Sequence, residues 1–178
     1  MIQKIRKEFF AYRNGVVAEQ LRVAGDPHSM IMGCQLADVI AITSRYERDA
    51  RLAQALWDDS QHRECRMAAT MLYPIEQFDI ATALAWCNSV ENVEIADVLC
   101  HRLLRHLDYA PQLWQQLNDS TLPLVRYTAF RLLLNLLNMN RTEKTAELRS
   151  TVEKEFTTSQ PPLRQLLRTL AEEMLDEE

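Results

Sequence analysis

The side chains in this sequence best spaced for chemistry are carboxylates: Glu91, Glu94 and Asp97 recur every three residues, which places them along one face of a helix. Glu91 and Glu94 follow the break at Asn88-Ser89, and acidic groups in a first turn chiefly favour the positive end of the helix dipole. Asp97 differs because it lies further in, among Ile95, Ala96, Val98 and Leu99. A carboxylate on an inner face there can stabilise positive charge that develops on a bound molecule. Glu91 and Glu94 on the same face are like charges and are expected to raise its pKa. Asp97 is therefore the candidate catalytic residue.

The second group is cationic. Arg66 and Arg126 stand in matched sequence surroundings, described below, and two roles are open to them. They can bond carboxylates or carbonyls of a neighbouring structural unit, or supply bidentate donors to phosphate. With Arg131 they are the candidate nucleic-acid contacts. His28, His62, His101 and His106 are scattered; His101 and His106, with Arg102 and Arg105 between them, read as a solvated basic edge rather than a metal site. A Gly-rich phosphate loop, GxSxG and HExxH are all absent, so neither cofactor nor metal is expected. Cys34, Cys65, Cys87 and Cys100 contain no CxxC pair and read as reduced core thiols. Trp57, Trp86 and Trp114 sit on apolar stripes and read as core.

These side chains need elements to hold them, and the composition points to helices: 47% apolar residues, 25% charged and only three glycines in 178 residues. Apolar residues recur at three and four, as in Leu99, Leu103, Leu104, Leu107 and in Val125, Ala129, Leu132, Leu133, Leu136. Breaks fall at Asn14-Gly15, Gly25-Asp26-Pro27, Asp58-Asp59-Ser60, Tyr73-Pro74, Asn88-Ser89, and in the stretches 108–111, 118–123, 138–142 and 157–162. No β-sheet is expected. The N-terminus mixes charged with apolar residues and no apolar run approaches a membrane span, so the expectation is a cytoplasmic protein without membrane contact.

Self-similarity suggests how the helices are arranged. Asp59-Ser60-x5-Arg66-x2-Ala69 recurs 60 residues on as Asp119-Ser120-x5-Arg126-x2-Ala129, Ser159-x2-Pro162-Leu163-Arg164 echoes Ser120-x2-Pro123-Leu124-x-Arg126, and Trp57-x2-Ser60 echoes Trp86-x2-Ser89 at 29. We read a helix-turn-helix unit of roughly 30 to 40 residues, with Ser or Asp capping each second helix and Arg66 and Arg126 at equivalent places in consecutive units. Stacked units predict an all-α superhelix of the HEAT-like or armadillo type, a single domain over 1–178, with function on a concave inner face.

Charge qualifies what that face can bind. The formal charge is −5, against the basic footprint usual for a nucleic-acid binder. Residues 1–24 hold five basic and two acidic side chains, residues 25–120 seven and fourteen, residues 121–169 eight and four, and residues 170–178 only five acidic ones. Two basic segments therefore flank an acidic middle.

The runs LAQALWDDSQHRECRMAATML (52–72), ALAWCNSVENVEIADVLCHRLL (83–104) and LVRYTAFRLLLNLL (124–137), with RNGVVAEQLR near the start, resemble the DNA alkylation repair family, the HEAT-like-repeat DNA glycosylases. The resemblance implies a basic face that holds DNA carrying a cationic alkylated base. It also implies an aspartate, matched by Asp97, that stabilises the sugar cation as the glycosidic bond breaks, and tryptophans packed against the lesion nucleotide. Val93 stands where the family carries the tryptophan one turn before that aspartate, Tyr127 where an arginine follows Arg126, and the C-terminal tryptophan falls near Thr169. The reading that follows is a non-catalytic or weakly catalytic binder of nucleic acid, duplex DNA held weakly, or of a protein. The alternative is an active N-glycosylase that excises cationic alkylated bases.

Overall fold

The computed structural model describes residues 1–175; the last three acidic residues of the tail, Asp176, Glu177 and Glu178, lie outside the described residues. The chain forms eleven α-helices among the described residues: α1 (Ile2–Ala11), α2 (Gly15–Val23), α3 (Leu36–Thr43), α4 (Ala50–Trp57), α5 (Arg63–Leu72), α6 (Ile80–Asn88), α7 (Val93–Arg102), α8 (Ala110–Asn118), α9 (Pro123–Asn138), α10 (Ala146–Thr158) and α11 (Leu163–Leu175). Two 3-10 turns, Ile75–Gln77 and Leu104–His106, complete the elements. No strand occurs among the described residues; a lone parallel bridge joins Met30 to His62. None of the described helices is long and apolar enough to cross a membrane.

Side-chain caps set several starts. Asn14 accepts from Val16 and Val17, Asn92 from Ile95 at 2.9 Å, and Thr145 from Leu148. Each satisfies an N–H that the first turn leaves without a partner. Asp49 Oδ1 accepts from Leu52 N and Asp79 Oδ1 from Thr82 N, at 2.6 and 2.7 Å. Prolines in the first turns of α8 and α9 cost no hydrogen bond there.

These starts reveal the repeat length. Helices α4, α6 and α8 begin at 50, 80 and 110, and helices α5, α7 and α9 at 63, 93 and 123. The hairpin therefore recurs every 30 residues, and the caps Asp49 and Asp79 share that spacing. This corrects three sequence expectations. Arg66 and Arg126 are both the fourth residue of their helices but lie two repeats apart, and buried Ala96 takes the place between them. The tryptophan echo at 29 is one residue out of register. Ser60 and Ser120 are not caps: α5 follows His62 and α9 follows Leu122, without a side-chain cap at either.

The chain divides into two compact units, Met1–Thr82 and Ala83–Glu178, and the division falls inside α6. In the first, α5 packs on α3 and α4 while α1 touches α3 and α4. Every residue of α5 except Met71 is buried. Two of its charged residues are matched within: Glu64 accepts from the backbone N–H of Met32, Gly33 and Cys34 and pairs with Arg63 at 2.9 Å. A helix that carries ions into a core needs such partners, because an unpaired buried charge is strongly destabilising. Gly33, with φ of 77°, lies where a Cβ would come within 2.2 Å of Asn14 O, a fit that only glycine permits.

In the second unit, α9 occupies the corresponding central place, with α7, α8 and α11 packed on it and α10 on α11. Eleven of its sixteen residues are buried, among them Phe130 and Leu133 at 0% exposure. All four cysteines are free and buried, and Trp57 and Trp86 are core residues.

Candidate functional site

Helix α7 starts at Val93 behind the cap Asn92. Glu94 therefore lies in its first turn, whereas Glu91 stands outside the helix. Asp97 is the fifth residue of α7 and Tyr127 the fifth of α9, so the 30-residue repeat makes them equivalent positions in adjacent hairpins that pack side by side. The Tyr127 hydroxyl donates to Asp97 Oδ1 at 2.9 Å. One turn on in α9, Arg131 Nε lies 3.2 Å from the same oxygen. Residues four apart share a helix face, which is why α9 presents both groups to one carboxylate.

The Asp97 carboxyl titrates above the ordinary carboxylate range. Burial is the largest cause; Arg131 and the Tyr127 hydrogen bond pull the other way, and Glu94 adds repulsion. Of the two like charges expected to act on it, Glu94 does and Glu91 is not among the causes. Tyr127, 7% exposed, titrates well above its usual value, first through burial and then through Asp97. The Asp97 side chain itself keeps 37% of its surface exposed. It is thus reachable from solvent while its Oδ1 is held by the protein.

The other sequence candidates divide. Arg66 is 4% exposed and its guanidinium stacks 4.4 Å from the centroid of the Trp57 ring, a cation–π contact within α4–α5. Arg126 Nε donates to Glu155 Oε1 at 3.0 Å, a second nitrogen pairs with Glu155 Oε2, and Nη1 donates to the carbonyls of Asn118 and Ser120. That is the work of an arginine bracing neighbouring elements. Arg131, with 29% of its side chain exposed, is the candidate that shares a site with Asp97. Val93, half-buried, supplies no aromatic face above Asp97, and Thr169 is exposed on α11.

Sequence reasoning saw Tyr127 only as a missing arginine. The 30-residue separation from Asp97 was the signal that would have paired them, and it was masked by reading the echo at 60. Around the site, α7 ends in His101 and Arg102, followed by Arg105 and His106. Asp97 therefore stands between an acidic side at Glu94 and a basic side at His101.

Helical hairpins that recur every 30 residues, the packing of α7 on α9 and the lack of strands among the described residues define the class: a HEAT-like helical-repeat protein. The sequence pattern of the family described as "DNA alkylation repair enzyme" matches residues 5–175, and the chain belongs to that family. Among solved structures, one described as "a new family of proteins related to the HEAT-like repeat DNA glycosylases with affinity for branched DNA structures" superposes with a TM-score of 0.78 at 12% identity, covering 97% of this chain and 73% of that one. No curated protein matches the sequence.

Proposed function

We propose that this protein is a non-catalytic or weakly catalytic binder of nucleic acid that uses the α7–α9 face, with Arg131 among its contacts. The observation that carries this reading is the engagement of Asp97 Oδ1 by both Tyr127 and Arg131. Electrostatic catalysis needs a group preorganised toward the charge that develops in the transition state. Here the carboxylate is already partly neutralised by a guanidinium, and Val93 offers no ring to stack on a cationic base. The described affinity of the structural neighbour for branched DNA supports nucleic acid as the ligand.

The alternative, an N-glycosylase that releases cationic alkylated bases with Asp97 stabilising the sugar cation, is favoured by the solvent-reachable part of the Asp97 carboxylate. Both readings are tested together. Base release is measured on duplex DNA carrying N-methylated purines, with wild type and Asp97→Asn, alongside binding of unmodified duplex and branched DNA. We expect binding of DNA and base release that is undetectable or very weak. Robust release that disappears in Asp97→Asn establishes the enzyme instead. Failure to bind any DNA at low salt leaves a protein partner as the ligand.

A further inference from the structure

The search for further chemistry leads to the basic edge that the Asp97 site does not use. Its residues are contributed by three consecutive pieces of the second unit. The last turn of α7 supplies His101 and Arg102, and the 3-10 turn supplies Arg105 and His106. The chain just after α9 supplies Arg141, whose guanidinium donates to the carbonyls of Arg105 and, at 2.8 Å, of Leu107. Arg131 joins them from α9: it is the ninth residue of that helix, as His101 is of α7, so the repeat sets the two side by side.

Cations near the C-terminal end of a helix and an arginine on free carbonyls have an ordinary structural explanation. It does not cover the whole cluster. Among the described residues no carboxylate pairs with Arg102, Arg105 or Arg141, and Arg131 alone has one, Asp97. Arg102 Nε is buried without a hydrogen-bond partner, and Arg105 Nε donates to His106 Nε2 at 3.2 Å. Arg102, Arg105 and Arg131 all act on His101; three guanidiniums with one carboxylate partner between them repel one another, and that repulsion is relieved when an anion joins them.

We propose that His101, Arg102, Arg105 and Arg131 form a docking strip for the phosphate backbone of DNA, and that His101 takes up a proton when phosphate seats there. The inference rests on the nucleic-acid reading above and says which side chains hold the backbone.

The proton uptake follows from the charged and titratable groups on the elements around the imidazole. Arg102 on α7, Arg105 and His106 on the 3-10 turn and Arg131 on α9 act on it directly; α7 also carries Asp97 one turn before and Glu94 beyond it, α9 the Tyr127 phenol, Arg141 is tied to the backbone of Arg105, and Asp108 is exposed after the turn. The His101 pKa lies below the ordinary histidine value, first through burial and then through Arg105, Arg102, Arg131 and His106. In the free protein this favours the neutral ring. A phosphate reverses the sign of the local field, favours the imidazolium, and gains from it a further charge-assisted hydrogen bond.

Fluorescence anisotropy with a labelled duplex tests this across a salt series at pH 8 and pH 6. For the wild type, affinity should rise toward pH 6, bounded at about tenfold per pH unit for one linked proton. His101→Gln should bind as wild type does at pH 8 and lose most of that rise. Arg102→Gln and Arg105→Gln should each lower the log–log salt slope by about 0.9, the value for one phosphate contact on duplex DNA. Arg105→Lys, which keeps the charge, should retain the slope, and Arg168→Gln, at an exposed position of α11, should change nothing. Wild-type binding whose slope survives Arg102→Gln and Arg105→Gln, or whose pH dependence survives His101→Gln, overturns the strip and leaves the nucleic-acid reading standing. Absence of wild-type binding overturns both.

Discussion

At the scale of single residues, Asp97 is a carboxylate whose ionised form is disfavoured by burial and by Glu94 and supported by Arg131 and Tyr127, with the net shift upward. A carboxyl whose folded-state pKa exceeds its unfolded value binds more protons folded than unfolded between those two values, so its ionisation opposes folding as pH rises through that window. Asp97→Asn removes this term. We expect the stability of the wild type relative to Asp97→Asn to fall as pH is raised from 4 toward 7, read from urea melts at each pH; the opposite slope would show that the Arg131 and Tyr127 contacts outweigh burial. The cysteines allow a second expectation. Burial pushes the thiols of Cys34, Cys65 and Cys87 up to about 12, and the thiolate is the reactive form. The native protein should therefore leave a thiol reagent at pH 8 essentially unconsumed until denaturant is added.

At the scale of elements, the central helices α5 and α9 are where charged residues were put to structural use. Arg126 braces the start of α9 against Glu155 of α10 and against the carbonyls of Asn118 at the end of α8 and Ser120 just after it, with only 24% and 17% of the Arg126 and Glu155 side chains exposed. Removing it leaves a half-buried carboxylate and two carbonyls without that donor. Arg126→Ala should cost about 1–3 kcal/mol in chemical denaturation, the range for leaving a buried acceptor without its donor. Arg126→Lys should recover little of it, because an ammonium cannot match the planar fork that serves four acceptor atoms on three residues at once. An unchanged midpoint for Arg126→Ala would return this residue to the list of DNA contacts.

At the scale of the whole molecule, charge governs what binding can look like. The negative total and the few cations of the α7–α9 face limit the number of phosphates engaged, and each contributes about 0.9 to the salt slope on duplex DNA. DNA binding should accordingly be weak and vanish quickly as salt is raised; tight binding that persists in high salt would show a larger contact surface than this face provides. The chain is further expected to behave as one domain over residues 1–178. Trp57 lies in the first unit and Trp86 and Trp114 in the second, so tryptophan fluorescence and far-UV circular dichroism should report one coincident unfolding transition. Two separated transitions would show that the units fold independently.

Helicity, the places where most helices end, and the likeness of the α4–α5 hairpin to the α8–α9 hairpin were legible in the residues, because apolar spacing and breaker residues act locally and leave a local trace. The breaks at Gly33–Gln35 and Ser44–Asp49 were not read, as neither carries proline and the second is marked chiefly by its cap Asp49. Asp97 also stood out in the residues, through its place in the apolar run of α7 and through the family resemblance, and its role in a site is a proposal. What only the tertiary structure decided is how side chains 30 residues apart come to act on one another. Tyr127 reads in sequence as a lost arginine, yet side-by-side packing of α7 and α9 makes it the hydrogen-bond donor to Asp97. Arg66 and Arg126 read as a matched pair, yet burial against Trp57 and capture by Glu155 give them different surroundings. A sequence motif records residue type and spacing along one chain. The partner of a polar group is chosen by burial, since a desolvated group must take whichever complementary atom the neighbouring helix brings within hydrogen-bond distance.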